Sequence, residues 1–405
     1  MVDFSKQTLS ELARQASLQP LEKLQTLHKK KHTLSISVPK EITYQEKRVP
    51  LSPLSVQLLV NNGHEIRIES GAGKQANFLD LDYSNAGATI VHDHQSAFDA
   101  NIVLKIDPPT FDEIEWLKPG QVLISALQMG DLKQEFLQQL MRKKITAIGY
   151  EYLRDDAGTL PVIRAMSEIA GRASILVAAE YLNNSQNGKG ELLGGIPGIQ
   201  PTDIVIIGAG AVGEYAVRAA LGLGAHVTVF DNSIYKLRRL EKNIGSRINS
   251  STILPHVLAK SLANCDVAIG ALRSSEGRSP CVVTEAMVQQ MHPKSLIVDI
   301  SIDQGGCFET SMVTNHEKPV FVKHGILHYC VPNITSRFSR TASYALSNVF
   351  SPLLLEIGEA GGVNEYLWED NGLRKGVYVF KGKLTNLSLA ERFSLDYKDI
   401  NFLLL

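Results

Sequence analysis

DIVIIGAGAVGEYAVRAALGLGAHVTVFD (203–231) decides the fold. An apolar run, Ile204–Ile207, predicts a buried strand, and Gly208-Ala209-Gly210-Ala211-Val212-Gly213 follows it directly as a GxGxxG turn. A helix is expected from Ala211 to Leu223, ended by Gly224. The next strand, His226–Phe230, delivers Asp231, 23 residues after Gly208. Each part has a physical reason. Gly208 permits the tight turn, Gly210 lets backbone approach a pyrophosphate, and Gly213 lets helix and strand pack closely. The helix N-terminus offers free N–H groups and positive dipole to phosphate. Asp231 suits the adenosine ribose hydroxyls, and its charge disfavours a 2′-phosphate, so NAD is the expected cofactor. Strand, turn, helix and acid in register specify a Rossmann unit.

Working outward, the same alternation recurs on both sides. Upstream, LSISV (34–38), HEIRIES (64–70), NIVLKI (101–106), QVLISAL (121–127) and TAIGYEYL (146–153) read as strands. Helical patterns at 52–63 and 131–144 lie between them, and a long one follows at 167–184. Downstream, DVAIGAL (266–272), SLIVDISI (295–302) and GILHYC (325–330) read as strands before a helix at 341–357. The expected architecture is α/β: two Rossmann-like, doubly wound domains, the NAD-binding one (167–344) inserted into a discontinuous substrate domain (32–166 and 345–405). Residues 1–31 read as an added helical arm ending in Lys29-Lys30-Lys31.

Composition narrows the function. The 405 residues are 44% hydrophobic and 20% charged, with 41 basic against 42 acidic side chains, a balance that argues against nucleic acid or an anionic membrane as partner. Cys265, Cys281, Cys307 and Cys330 stand singly, as reduced thiols do, and neither a signal-peptide h-region nor a run of membrane-spanning length is expected; a cytoplasmic protein is the reading. His92-Asp93-His94 is read as surface decoration and no metal site is expected, because no third ligand is evident.

Further blocks carry a resemblance. VPKEITYQEKRVPLSP (38–53), GAGKQANFLD (71–80), AMSEIAGR (165–172), GGIPG (194–198), VDISIDQGGCFE (298–309), HYCVPN (328–333) and TASYALSN (341–348) lie in an order that resembles the alanine dehydrogenase and pyridine nucleotide transhydrogenase α-subunit family. IDQGGCFE is more similar to the soluble dehydrogenases. The resemblance implies NAD-dependent oxidation of L-alanine, or a related amino acid, to the 2-oxo acid and ammonia, and a homo-oligomer (dimer or hexamer). It also implies roles. Arg48 matches the arginine that holds the substrate carboxylate, and Asp303 the aspartate beside nicotinamide and substrate. Ser167, Leu272, Ile302 and Asn333 match the nicotinamide side, Ala211 and Val212 the phosphate contacts, and Lys236 joins Asp231 at the ribose.

Two positions depart from that pattern. Asp107, in KIDPP, stands where the family has a substrate-binding lysine, and Gln128, after QVLISAL, where it has its catalytic histidine. Lys105 cannot substitute by slipping, because strand side chains alternate faces. Tyr150 and Glu151 are the nearest acid–base candidates. Three functions therefore stay open: a dehydrogenase for alanine or another amino acid, a catalytically divergent NAD(H)-binding sensor or regulator, and hydride exchange requiring a separate NADP-binding chain.

Overall fold

The computed structural model describes residues 32–128, 132–274 and 278–404; the arm expected over 1–31 lies outside them. Two sheets organise the chain. The first uses β1 (Ser35–Val38), β2 (Glu65–Glu69), β3 (Thr89–Val91), β4 (Ile102–Leu104), β5 (Val122–Ser125) and β6 (Thr146–Gly149). The second uses β7 (Asp203–Ile207), β8 (His226–Phe230), β9 (Asn249–Ser251), β10 (Val267–Gly270), β11 (Leu296–Asp299), β12 (Val320–Lys323) and β13 (Ile326–Tyr329). The chain then returns to the first sheet with β14 (Val377–Phe380) and β15 (Lys383–Leu384), β14 pairing antiparallel with β6.

Strand order is β15-β14-β6-β5-β4-β1-β2-β3 in one sheet and β12-β13-β11-β10-β7-β8-β9 in the other. Apart from β12, β14 and β15, neighbouring strands are parallel. Parallel sheets need cover on both faces, and the side-chain alternation supplies it. Ile36, Ile68, Leu104, Ile124 and Ile148 enter one core, while Val103, Leu123 and Ala147 enter the core behind them. Ile204, Ile206, Val227, Ile269 and Val298 are split in the same way from Val205, Ile207, Phe230, Ala268 and Ile297. This explains why β5, β7, β10 and β11 read as nearly unbroken apolar runs.

Two 22-residue helices, Pro161–Leu182 and Ser339–Ala360, stand between these cores. The first buries Val162 in the core of the first sheet and Ala170 onward in that of the second. It begins six residues before the expected 167, because Pro161 at its first turn has the φ of a helix start and no N–H to lose. Two strands end early. TAIGYEYL leaves the sheet at Gly149 for a 3₁₀ turn, Tyr150–Tyr152. SLIVDISI leaves at Asp299, whose carboxylate accepts from Ser301 N (3.0 Å), Cys307 N (3.0 Å) and Ser311 Oγ (2.7 Å) and so rolls the chain into Ile300–Gln304. In both cases side-chain chemistry at the strand's carboxyl end turns the backbone toward the site.

His94 corrects its sequence reading. It is half-buried, with Nδ1 2.7 Å from Glu69 and Nε2 3.2 Å from Glu113. Glu113 also takes Lys105 Nζ (2.9 Å), and Lys105 lies 3.3 Å from Glu41. A buried charge network thus lies behind β4. Burial raises Glu41 to about 7, although Lys105 opposes the shift. Its unfolded carboxyl titrates near 4.5, so between these values the folded chain holds the extra proton and stability falls as pH rises. The expected fall is at most about 3 kcal/mol from pH 4.5 to 7, read by denaturant titration. Glu41→Gln should flatten that slope; an unchanged slope refutes the assignment.

Candidate functional site at two topological switch points

In each sheet the strand order reverses once, between β1 and β4 and again between β7 and β10. Loops leaving the carboxyl ends of such strands diverge and open a crevice, where ligands of α/β sheets bind. Arg48 and Asp107 lie on the loops leaving β1 and β4, and Gly208–Gly213 and Leu272 on those leaving β7 and β10; the other sequence-predicted residues follow neighbouring strands or, for Ser167, lie on the long helix.

At the second, Gly208 has φ of +120°, and a Cβ there would strike the carbonyl of Ala271 at the end of β10. Only glycine lets the two loops approach, which sets Leu272 beside the turn. A Cβ on Gly213 would fall on the Gly208 carbonyl, so this glycine sets the contact of helix Ala211–Gly222 with the turn. Gly210 differs: a Cβ would meet no protein atom within 4 Å. It opens onto free space at the helix start, where Gly210 offers no capping side chain and the first-turn N–H groups, those of Ala211 and Val212 among them, have no carbonyl partner within the helix. A dinucleotide pyrophosphate fits that cradle.

Asp231 is buried, and its carboxylate accepts from Ala209 N (2.8 Å) and Ser233 N (2.7 Å). It therefore braces the glycine turn from the end of β8. Lys236 Nζ is 3.9 Å away. Ile302 is buried in the 3₁₀ turn after β11, and Ser167 lies half-buried on the long helix, next to Met166, whose Sδ is 3.5 Å from Arg48.

At the first switch point, the loop after β1 carries Glu46 and Arg48. They form a bidentate pair, Nε to Oε1 at 2.8 Å and Nη2 to Oε2 at 2.6 Å, and Arg48 is 9% exposed. Burial opposes the Glu46 carboxylate, but Arg48 outweighs it and holds that group below its ordinary range; Glu46 in turn raises Arg48 further. Glu46 also accepts from Asn333 Nδ2 (2.6 Å), and Arg48 Nη1 donates to Thr335 Oγ1 (3.2 Å). Asn333, at φ of +53°, donates its backbone N–H to Asp303 (2.9 Å). Asp303 is exposed. A single hydrogen-bonded chain, Arg48–Glu46–Asn333–Asp303, thus ties the first crevice to the second.

Asp107 follows β4 and is 6% exposed; Gln128 follows β5 and is exposed, with φ of +47°. Gln128 Nε2 donates to Asp107 Oδ1 at 3.1 Å. Burial first, then neighbouring Glu46, raises the Asp107 carboxyl against the pull of Arg48. Lys105 points away into the buried network and is 1% exposed. Tyr150 donates its hydroxyl to Ile106 O (2.8 Å), and burial holds its proton far above the ordinary range. Glu151 accepts from Leu127 N (2.7 Å) and Gln128 N (3.0 Å) with one oxygen, bracing the loop that presents Gln128.

Sequence reasoning missed Glu46, Thr335 and the bracing by Glu151. The Glu-Lys-Arg run at 46–48 held the signal for the first, since alternate residues of an extended segment share a face. Among the described residues no group of His, Cys, Asp and Glu forms a metal site, and no helix is long and apolar enough to cross a membrane.

Known proteins share this fold. The Alanine dehydrogenase/PNT, N-terminal domain matches residues 37–170, and the Alanine dehydrogenase/PNT, C-terminal domain residues 174–387. Alanine dehydrogenase 2 of Staphylococcus aureus (strain USA300) is 37% identical over 368 residues, covering 91% of this chain and 98% of its own. A solved L-alanine dehydrogenase superposes with a TM-score of 0.84 at 38% identity, over 89% of this chain and 99% of its own. A transhydrogenase structure from Sinorhizobium meliloti shares the fold, with a TM-score of 0.74 at 22% identity over 87% and 99%. NAD, the expected cofactor, accords with both the open Gly210 cradle and these relatives. Two Rossmann-like domains and these matches together place the chain in the alanine dehydrogenase/PNT family.

Proposed function

We propose that this chain is an NAD(H)-dependent oxidoreductase interconverting an amino acid and its 2-oxo acid plus ammonia. The Arg48–Glu46–Asn333–Asp303 chain carries the reading, because it fixes a cation of the first crevice relative to a carboxylate of the second. Reactions between a bound substrate and a bound nicotinamide need that mutual positioning above all. NAD, when bound, supplies the hydride acceptor. Gly208, Gly210 and Gly213 shape its phosphate turn, with Ala211 and Val212 N–H at the pyrophosphate and Asp231 and Lys236 at the ribose. Ser167, Leu272, Ile302 and Asn333 border the nicotinamide side. Arg48 orients the substrate through the N–H left free by Glu46, and Asp303 holds or releases a proton at its carboxylate beside the reacting carbon.

A second reading, a catalytically divergent NAD(H)-binding sensor or regulator, is favoured by one observation. Asp107 and Gln128 stand where the family resemblance implies a lysine and a histidine, and Lys105 is committed to Glu41 and Glu113. Glutamine cannot shuttle a proton near neutral pH. NADH binding is expected under both readings. NADH oxidation with ammonia and a panel of 2-oxo acids separates them: no turnover above background with any member rejects the oxidoreductase. D107K with Q128H should create or raise pyruvate turnover by roughly 100-fold or more, the usual scale for regaining a positioned proton donor. No gain would mean that these positions do not govern the chemistry.

A further inference from the structure

The first crevice contains a buried carboxylate with no cation assigned to it. The two cations that act on it most strongly among the described residues, Arg48 and Lys105, are each paired with another acid. Arg48 gives its fork to Glu46, and Lys105 is shared between Glu41 and Glu113. Asp107 makes no ion pair among the described residues; its contacts are the neutral Gln128 amide at 3.1 Å and the Thr43 hydroxyl. Glu46 and Arg48 lie close enough to act on it electrostatically in opposite directions. Yet Asp107 is 94% withdrawn from solvent, being 6% exposed. A buried carboxylate in this condition is costly unless it takes up a proton or a positive partner arrives.

Its place in the fold shows where that partner comes from. Asp107 lies on the loop that leaves β4, one of the two strands flanking the switch point, and Gln128 on the loop that leaves the adjacent β5. Gln128 is exposed while its amide touches Asp107, so the pair borders the crevice mouth. A ligand entering there meets Asp107 next to Glu46 and Arg48, with Asp303 reached through Asn333. The surplus of negative charge disfavours a simple 2-oxo acid or a zwitterion with an apolar side chain.

We propose that Asp107 is the specificity determinant of the crevice and selects an amino acid bearing a second, side-chain ammonium group. This rests on the oxidoreductase reading above for the placement of the α-carboxylate at Arg48 and for the oxidation itself, but not for the contact with Asp107. The Asp107 carboxylate accepts from the distal ammonium, and Gln128 keeps the carboxylate turned toward it. Oxidation at the α-carbon then balances as R–CH(NH₃⁺)–COO⁻ + NAD⁺ + H₂O giving R–CO–COO⁻ + NH₄⁺ + NADH + H⁺, with R retaining the second ammonium.

The test is a matched pair of ligands titrated calorimetrically into the full chain, with saturating NADH and again without nucleotide. L-2,4-diaminobutyrate and L-norvaline have the same number of heavy atoms and differ by the terminal ammonium. The diamino acid is expected to bind at least about tenfold tighter, the scale of a charge-assisted contact. D107N should abolish that difference, with retained NADH binding identifying folded variant. Equal or tighter binding of norvaline, or no binding of either, overturns the proposal. The matched pair decides this on the unmodified chain even where the variant fails to fold. 1,3-Diaminopropane, which lacks the carboxylate, separates the two ideas. Binding as tight as diaminobutyrate keeps the cation site and removes the carboxylate from Arg48, whereas NADH oxidation with 2-oxo acids reports on the oxidoreductase reading alone.

Discussion

Gly213→Ala should abolish NADH binding and lower the melting temperature by about 6 °C or more, whereas Gly210→Ala should affect NADH alone. The two substitutions add the same methyl group three residues apart in one turn. At Gly213 the new Cβ falls on the Gly208 carbonyl, and Gly208 is itself pressed against Ala271 at the end of β10. Backbone must move on both sides, and strain of this kind costs about 3 kcal/mol or more. At Gly210 the methyl meets no protein atom within 4 Å, and the extended backbone there suits any L-residue. Its cost appears only when a pyrophosphate approaches, as roughly a 10- to 100-fold weaker Kd for NADH. Thermal melting with and without NADH reads both effects. A Gly210→Ala chain that binds NADH as the parent does would remove the phosphate from this cradle.

Removing Arg48 carries the second large effect. Arg48→Met would leave Glu46 buried without its cation, a loss of about 3–5 kcal/mol by the behaviour of broken buried pairs. Glu46→Gln with Arg48→Met should recover much of it, because no bare charge then remains. The pH dependence distinguishes this from lost packing. In the parent, the Glu46 carboxyl is held below its ordinary range, so its stabilisation is present at neutral pH and is lost as the pH falls through that depressed value. In Arg48→Met burial is opposed only by the residue 48 N–H and the Asn333 amide, the carboxyl rises, and stability instead falls as pH rises above the ordinary carboxylate range. From pH 5 to 8 Glu46 adds no slope in the parent, so the denaturant midpoint of Arg48→Met should fall more steeply than the parent's over that range. Parallel shifts would show that Glu46 does not depend on Arg48.

Much of the fold was legible because its signals are local. A parallel strand covered on both faces is largely apolar and one partly open alternates, and β1, β2, β4, β5, β7, β8, β10, β11 and β13 lie within the runs identified by these two patterns. Where a strand end was misplaced, a contact distant in sequence intervened. Tyr150 leaves the sheet line to bond Ile106 across 44 residues, and Asp299 gathers N–H groups from the turn ahead of it. The short β14 and β15, which close the first sheet, give almost no periodic signal in two to four residues. His94 was misread for the same reason, since Glu69 and Glu113 reach it only after three elements fold together.

The Rossmann unit at 203–231 was written into the sequence by itself. Its glycines, helix start and acid sit within one continuous segment, and the requirements of turn geometry and phosphate binding apply residue by residue. Only the tertiary structure decided what surrounds it. That Asp231 braces the glycine turn, that Lys105 is spent on two glutamates, and that Glu46 fills the fork of Arg48 are facts about neighbours. So is the ion-unpaired Asp107 beside Gln128. Charge and burial are properties of a place in three dimensions, and the loops that make this place come from strands that are adjacent in the sheet but far apart in the chain.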